Sequence, residues 1–304
     1  NDFSNTTRLV ITPIKQLSLT GDFTYRLYQT RNTHRSNNLF YREYPDGPLL
    51  SYATGAGLNK LSESVNTRNY YSANVFANYE DTFGEAHHVT GVVGFNYERM
   101  YLKNVSAAGQ NLTSTSLDDL DLVGQNAEGE VLTEVGGGQS EYALAGFFGR
   151  VNYDYKGRYL VEVSGRYDGT SRFDSNSRWG WFPSASVGWR ISEEPFFGRA
   201  KNVVDNLKLR VSVGSAGNGL ISDTYAYLST MSISQSSLLN NGSVFNYTAA
   251  PSPIPDGLTW ETAMTYDLGV DFEAFNGRLN FSADIYRKKT TDMYVVGEEL
   301  PAGY

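Results

Sequence analysis

The sequence predicts an all-β protein, a transmembrane antiparallel up-and-down β-barrel to which this chain contributes about ten strands. Three observations lead to this prediction: apolar and polar residues alternate with a period of two, the periodic segments are long, and short connections alternate with long ones. Such an alternation indicates strands that present one face to an apolar medium and the other face to water.

The alternation defines the strands in chain order. Between Leu17 and Leu27 the odd positions hold Leu, Leu, Gly, Phe, Tyr and Leu, whereas the even positions hold Ser, Thr, Asp, Thr and Arg. Periodic segments of this kind predict strands at 5–11, 16–30, 68–79, 87–101, 141–153, 158–168, 181–192, 207–215, 262–273 and 278–290. Most of them reach the ~9–11 residues that a tilted membrane-spanning strand needs, whereas strands of globular proteins have ~5–6. Strand length therefore favours a membrane barrel over a soluble sandwich.

The connections fall into two classes that alternate along the chain. The short ones lie near 12–15, 80–86, 154–157, 193–206 and 274–277, and the long ones lie at 31–67, 102–140, 169–180 and 216–261. In an up-and-down sheet all short connections reach one end and all long ones the other, as in outer-membrane barrels. Asn276-Gly277 predicts a type I′ hairpin turn, and Glu193-Glu194-Pro195 predicts a helical turn within 193–206.

Tyrosines recur at a spacing that suits two aromatic girdles. Tyr71 and Tyr79 share one face of a strand, and so do Tyr159 and Tyr167. Eight residues at a rise of ~3.3 Å cover ~20 Å of the membrane normal when tilted, close to the ~25 Å apolar band of such barrels. The alternative is that tyrosine is simply a good strand former.

The opposite face of the strands is too polar for a packed core. Five residues represent it as predicted lumen-facing positions: Arg150, Asn152, Arg166, Arg190 and Asp284. Buried unpaired charge is expensive, so this face predicts a wide, wet lumen. About ten strands would close too narrow a barrel, and an open sheet would expose its edges to lipid. We therefore expect further strands and a plug domain outside this chain.

Composition excludes several other classes. The chain has 33 acidic and 25 basic residues, a formal net charge of -8, so it lacks the basic footprint of a nucleic-acid binder. It contains no cysteine, which excludes disulfides and thiolate metal sites, and its three histidines leave little for a histidine-based metal site. The longest stretch without charge, from Thr224 to Pro255, is rich in Ser, Asn, Thr and Pro and predicts a polar loop, not a membrane-spanning helix.

Several runs in the second half of the chain resemble SusC/RagA-type TonB-dependent outer-membrane transporters. They are GRVNYDYKGRYL at 149–160, RYDGTSRF at 166–173, WFPSASVGWR at 181–190, LKLRVSVG at 207–214 with Gly217-Asn218, LTWE at 258–261, YDLGVD at 266–271 and DIYRKKTTDM at 284–293. Each run is weak alone, but their order and spacing are a strong joint signal that covers about 141–293.

The resemblance implies a barrel of about 22 strands around a plug domain. It also implies a SusD-like surface lipoprotein as a lid, contact with the TonB–ExbB–ExbD complex, and a Gram-negative outer membrane with its lipid and lipopolysaccharide. On this basis we expect residues 1–304 to be one segment of the barrel domain, with the plug, the TonB-binding segment and the last strands outside it.

Aromatic residues near the long connections are the candidate substrate-binding residues: Trp179, Trp181, Tyr225, Tyr227 and Trp260. Flat rings stack on the C–H faces of sugars or grip peptide side chains. The alternative is that these rings anchor the barrel at the membrane interface, where Trp and Tyr concentrate.

No catalytic residue, metal ligand or cofactor is predicted. His87 and His88 lie at a short turn and the start of the next strand. A hydrolytic dyad of a histidine with an aspartate is not expected, because neighbouring strand residues point to opposite faces and no Ser or Asp group joins them. Asp168, Asp174 and Asn176 offer hard oxygens for Ca²⁺, but their spacing is not that of an EF-hand, and a polar loop is the alternative. The acidic residues of 102–140 allow a divalent-ion contact or a solvated loop face: Asp118, Asp119, Asp121, Glu128, Glu130 and Glu134.

These features predict a protein without enzymatic activity that imports a large solute, an oligosaccharide, through a TonB-dependent barrel. Import of peptides by the same mechanism is the alternative. A passive porin or structural barrel, a barrel-anchored hydrolase and a secreted sugar-binding β protein belong to other classes and stay open.

Overall fold

A computed structural model of the chain describes residues 1–37, 39–52, 59–125, 129–219, 221, 224–240, 243–249, 251 and 257–293. The strands in these residues are β1 Asp2–Ile14, β2 Leu17–Ser36, β3 Leu39–Tyr41, β4 Leu50–Tyr52, β5 Lys60–Phe83, β6 His87–Gly109, β7 Thr133–Tyr155, β8 Tyr159–Thr170, β9 Trp179–Arg190, β10 Val204–Asn218, β11 Ile233–Asn240, β12 Ser243–Thr248, β13 Glu261–Ala274 and β14 Leu279–Thr291. Short 3₁₀ helices span Leu120–Leu122, Ile191–Glu193, Pro195–Phe197 and Ala200–Asn202. No helix among the described residues is long and apolar enough to cross a membrane.

Ten of the strands form one up-and-down sheet in the order β1-β2-β5-β6-β7-β8-β9-β10-β13-β14. The pairs β3–β4 and β11–β12 form separate two-stranded sheets within long connections. The predicted all-β fold and the predicted meander of ten strands are confirmed. The alternation of short and long connections fails at one place, because 171–178, predicted to be long, is shorter than 191–203, predicted to be short.

Several strands are longer than the alternation predicts, and the long connections are correspondingly shorter. Strand β5 spans Lys60–Phe83 where 68–79 is predicted, and β7 spans Thr133–Tyr155 where 141–153 is predicted. The added residues 133–140, TEVGGGQS, contain three glycines and one apolar side chain, so hydrophobic periodicity cannot detect them although their backbones pair. The connections predicted at 31–67 and 102–140 shrink to 37–59 and 110–132.

The predicted turns are present at the other end. Asn276 and Gly277 both have positive φ, at 58° and 76°, and Arg278 N–H donates to Phe275 O at 3.4 Å, as a type I′ turn requires. Phe275 also has a positive φ of 59°, and the last strand pair is Ala274–Leu279, so the connection has four residues where a two-residue hairpin is predicted. The predicted helical turn is the 3₁₀ helix Pro195–Phe197.

The chain divides into two compact units. Unit 1 contains residues 1–6, 24–71 and 99–141, and unit 2 contains residues 7–23, 72–98 and 142–304. Strands β1, β2, β5, β6 and β7 contribute residues to both units.

In unit 1 the guanidinium of Arg35 contacts the long connection after β6. Arg35 donates to Asn37 Oδ1 at 2.9 Å and to two backbone carbonyls of that connection, and it forms an ion pair with Asp118 at 3.4 Å. Its side chain is only 10% exposed. On the apolar face of unit 1, Tyr25 packs against Phe3 and Tyr71 at ring distances of 6.3 and 5.1 Å.

In unit 2 the apolar face carries an aromatic row at each end. One row, next to the long connections, contains Phe95, Phe147, Tyr167, Trp179 and Trp181, with ring distances of 4.9 to 6.4 Å. The other row, next to the short connections, contains His87, Tyr153, Tyr155 and Tyr159. Between the rows valines dominate, and three of them, Val163, Val187 and Val211, are each more than half exposed. This arrangement is that of an apolar band between two girdles.

Candidate functional site

The polar face of unit 2 holds ion pairs that lie flat against glycines of neighbouring strands. Arg166 donates to both carboxylate oxygens of Asp168, at 2.9 and 2.7 Å. A methyl group at Gly146 would lie 2.1 Å from Asp168 Oδ1, so the pair needs a glycine on the adjacent strand β7. Charges of both signs are thereby held in fixed positions at the surface of the sheet.

A second ion cluster joins the last three strands of the sheet. Arg210 on β10 donates to Asp271 on β13 at 2.8 and 3.1 Å and to Asp284 on β14 at 2.9 Å. Ser282 also donates to Asp271, at 2.8 Å. Gly269 lies beneath this cluster, because a methyl group there would be 2.2 Å from Asp284 Oδ1.

The five predicted lumen-facing residues all belong to the polar face by alternation. Arg150 approaches Glu162 at 3.7 Å, Asn152 donates to Thr90 at 3.0 Å, and Arg190 donates to Gly157 O at 3.5 Å. Arg166 and Asp284 belong to the two ion clusters. That this face borders a water-filled lumen stays a prediction.

A cavity of about 660 Å³ opens on the polar face near the long connections of unit 2. We call it the loop-end cavity. Its lining combines ionised, amide and aromatic groups: Asn74, Asn96, Glu98, Phe148, Arg166, Asp168, Arg172, Asn218 and Trp260, with Leu144, Ala145 and three glycines. Donors, acceptors and one indole ring thus converge on one space, which is the composition expected of a site for a polar solute.

Arg172 is the least satisfied cation at this cavity. Its guanidinium carbon lies 4.2 Å from the centroid of the Tyr142 ring, and its Nη1 donates to Ile221 O at 3.3 Å. Its Nε is buried and has no hydrogen-bond partner among the residues that the structure describes. The contact with the ring holds the guanidinium at the wall of the cavity, and a guanidinium has five N–H groups that can donate hydrogen bonds.

An aromatic cluster supports the cavity from the side of the connections. Phe173, Phe182, Leu258 and Trp260 form a buried group against which Ile221, Ala226 and Tyr227 pack. Trp260 meets both phenyl rings edge-on, at 5.7 and 5.4 Å, and its Nε1 donates to Arg178 O at 3.0 Å. Backbone N–H groups of Asn176 and Ser175 lower the pKa of Asp174, because they stabilise its ionised carboxylate within the turn 171–178.

The five candidate aromatic residues occupy three different environments. Trp179 and Trp181 lie on the apolar face, where their rings cover Gly169 and Gly165. Trp260 lines the loop-end cavity but is only 9% exposed. Tyr227 packs against the aromatic cluster, and Tyr225 is exposed in the connection 219–260. The positions of the first two fit the anchoring alternative, and ligand binding by the five stays a prediction.

Several of the loop oxygens considered for Ca²⁺ have other partners. Asp168 is paired with Arg166, and Asp174 accepts the backbone N–H of Asn176 at 3.2 Å. Asp118 pairs with Arg35, Glu134 with Lys60 at 2.7 Å, and Glu128 lies outside the described residues. In the described part of the chain no group of three or more His, Cys, Asp or Glu residues could hold a metal ion.

Sequence reasoning missed Arg172, Phe173 and Phe182 as parts of the site. Phe182 was detectable, because it occupies a polar-face position of β9 between Trp181 and Pro183. An apolar residue on the wet face indicates that something covers it. Arg172 gave no such signal, since an arginine in a polar turn is ordinary.

The comparisons with known proteins agree on one family. The family model described as TonB dependent receptor-like, beta-barrel matches residues 2–303. The chain is 33% identical over 234 residues to TonB-dependent receptor P39 of Formosa agariphila, covering 76% of this chain and 21% of that protein. It is 37% identical over 176 residues to TonB-dependent receptor SusC of Bacteroides thetaiotaomicron, covering 54% of this chain and 17% of that protein.

A solved structure extends the likeness to three dimensions. The structure of the RagAB peptide transporter matches 95% of this chain and 30% of that chain, with a TM-score of 0.78 and 25% sequence identity. The chain spans about a fifth of the length of the curated relatives named above.

Proposed function

We propose that this chain forms part of the barrel wall of an importer. The chain belongs to the TonB dependent receptor-like β-barrel family, and its resemblance to SusC/RagA-type transporters is confirmed. The importer lies in the outer membrane of a Gram-negative bacterium and takes up a large solute, an oligosaccharide. The role needs no covalent chemistry from this chain.

The observation that carries the proposal is the opposite character of the two faces of the sheet. In unit 2, Val163, Val187 and Val211 are exposed on one face, while ion pairs and the loop-end cavity occupy the other. A soluble sandwich would cover such an apolar face with a second sheet. Lipid covers it in a membrane barrel, and the charged face then borders water.

The partners follow from the same proposal. A SusD-like surface lipoprotein covers the end of the barrel that carries the long connections, and a plug domain outside this chain contacts the TonB–ExbB–ExbD complex. Lipid and lipopolysaccharide contact the apolar face. No nucleic acid is involved, in keeping with the net charge of -8.

Peptide import is the second candidate, and two observations favour it. The structural match is to a transporter whose name specifies peptides. The loop-end cavity also presents charges of both signs, Arg172 and Glu98, which suit a zwitterionic chain.

A deletion strain tests the proposal. Loss of the full-length protein that contains this chain should abolish uptake of a fluorescent oligosaccharide, and re-expression should restore it. A protonophore should stop uptake, because TonB-dependent import draws on the proton-motive force. Uptake that persists with the protonophore would identify a passive porin, and loss of peptide uptake alone would favour the second candidate.

A further inference from the structure

Unit 1 contains a second cavity on the polar face that the sequence analysis did not identify. It has a volume of about 500 Å³ and is lined by Arg26 and Tyr28 of β2, Arg68 and Tyr70 of β5, and Met100 of β6, with Ser4 and Thr24 at its edge. Residues two apart share a face of a strand, so the paired positions on β2 and β5 point to the same side. We call this space the tyrosine–arginine cavity.

The two guanidinium groups of this cavity are in different states. Arg26 donates to both carboxylate oxygens of Asp2, at 3.1 and 2.5 Å, so its charge is compensated. The guanidinium carbon of Arg68 lies 5.7 Å from the centroid of the Tyr28 ring. Among the ion pairs of the described residues, none involves Arg68. The cavity therefore holds one cation whose charge is not compensated locally.

Arg68 is placed to bind an anion. Its guanidinium lies over the Tyr28 ring, and the N–H groups of a guanidinium can donate two parallel hydrogen bonds to a carboxylate. The contact with Tyr28 also restricts the side chain before any ligand arrives, which lowers the entropy lost on binding. Tyr28, Tyr70 and Met100 add the apolar surface that the C–H faces of a sugar ring would cover.

We propose that the tyrosine–arginine cavity binds an acidic sugar unit, with the carboxylate on the edge of Arg68 and the sugar ring against Tyr28 and Tyr70. The inference rests on the proposed function and deepens it, since it assigns the imported oligosaccharide to the class that contains uronic acids.

Calorimetric titration of the full-length protein in detergent tests the site. The probe is a short oligogalacturonate, and its methyl ester is the matched neutral ligand. Arg68→Gln should weaken binding of the free acid at least tenfold and leave binding of the ester unchanged. Arg68→Lys should recover only part of the affinity, because an ammonium group lacks the planar pair of donors. Tyr28→Phe should retain binding, and Tyr28→Ala should weaken it. Arg199→Gln, in the exposed connection between β9 and β10, is the control for the loss of one positive charge.

Three results would overturn the inference. The first is that wild type and Arg68→Gln bind the free acid with equal affinity. The second is that wild type binds the acid and the ester with equal affinity. The third is that a short oligoglutamate binds in a manner that depends on Arg68, whereas oligogalacturonate does not bind. The last result would identify an acidic peptide as the occupant. The proposed function fails separately, if deletion of the protein leaves uptake of both sugars and peptides unchanged.

Discussion

At the scale of single residues, the loop-end cavity depends on Gly217 of β10, because glycine has no side chain that would collide with Phe182. Phe182 is 6% exposed, and its ring lies over Gly217 of β10 so closely that a methyl group there would be 2.0 Å from Phe182 Cζ. The ring cannot retreat, because Trp260 packs against it at 5.4 Å. Gly217 thus allows the aromatic cluster to pack against β10.

Gly217→Ala is therefore expected to destabilise the protein by about 1–3 kcal/mol, the usual cost of an added methyl group in a packed cluster. Urea-dependent unfolding in detergent micelles measures this loss. Gly21→Ala is the matched control, since Gly21 also lies in a strand and a methyl group there would contact nothing within 4 Å. Equal unfolding midpoints for the two variants would contradict the packing described for Phe182.

Trp181→Ala separates ligand binding from anchoring. The indole covers Gly165 on the apolar face, next to Tyr167 at a ring distance of 6.4 Å. We expect the variant to lose about 1 kcal/mol of stability, typical of an aromatic pair, and to bind the imported solute with unchanged affinity. Titration of solute and urea unfolding on the same preparation measure both quantities. A loss of affinity with full stability would instead support the ligand-binding prediction.

Local sequence could identify these residues but not all of their roles. Alternation assigns Trp179 and Trp181 to the apolar face and Arg166 to the polar face. It does not reveal that Arg68 lies over the ring of Tyr28, or that Arg172 lies over the ring of Tyr142, because those pairs join segments far apart in the chain. Strand pairing, which brings the segments together, is a property of the whole sheet.

At the scale of elements, the connection 191–203 is held by one buried carboxylate. Glu194 is 8% exposed and accepts hydrogen bonds from Tyr159 Oη at 2.6 Å and Trp189 Nε1 at 3.1 Å. These bonds, that of Tyr159 above all, lower the pKa of Glu194 from its ordinary value, with Arg158 at 3.7 Å adding to the effect. The connection is thereby tied to the ends of β8 and β9.

The lowered pKa predicts a sign for the pH dependence. A carboxylate with a lowered folded-state pKa contributes its stability fully above the ordinary value of ~4.3, and the contribution is lost as pH falls through the folded-state pKa. Glu194→Gln keeps an acceptor oxygen but removes the charge. We expect it to be less stable than wild type at pH 7 and to lose less stability than wild type below pH ~4.3.

Glu193→Gln is the control for this prediction. Glu193 is the neighbouring residue, but its carboxylate is more exposed and pairs with Lys201 at 3.2 Å. Exposed pairs contribute ~0–1 kcal/mol, so this variant should follow wild type across the pH range. Unfolding midpoints of the three proteins, measured as a function of pH, decide the matter, and parallel curves for wild type and Glu194→Gln would contradict the role of the charge.

At the scale of the whole molecule, alternation predicted the order and number of the sheet strands but not their full length. It stops at residue 141 of β7, because residues 133–140 contain three glycines and only one apolar side chain, although the strand begins at Thr133. The solute could not be predicted in the same way. Wall charges such as Arg210 and Asp271 pair with each other, so their number in the sequence says little about what the lumen binds.

The orientation of the two faces is the premise of every functional proposal, and two neighbouring residues of β9 test it. Val187 lies on the apolar face, paired with Val161 of β8 and Val211 of β10, and is 55% exposed. Ser186 is adjacent in the chain and lies on the polar face, paired with Glu162 and Ser212. If lipid covers the apolar face, Val187→Arg should destabilise the folded protein in bilayers by about 2–4 kcal/mol, whereas Ser186→Arg should change stability little. Folding titrations into lipid vesicles compare the two variants directly. Equal costs would mean that lipid does not distinguish the faces, and the importer would lose its physical basis.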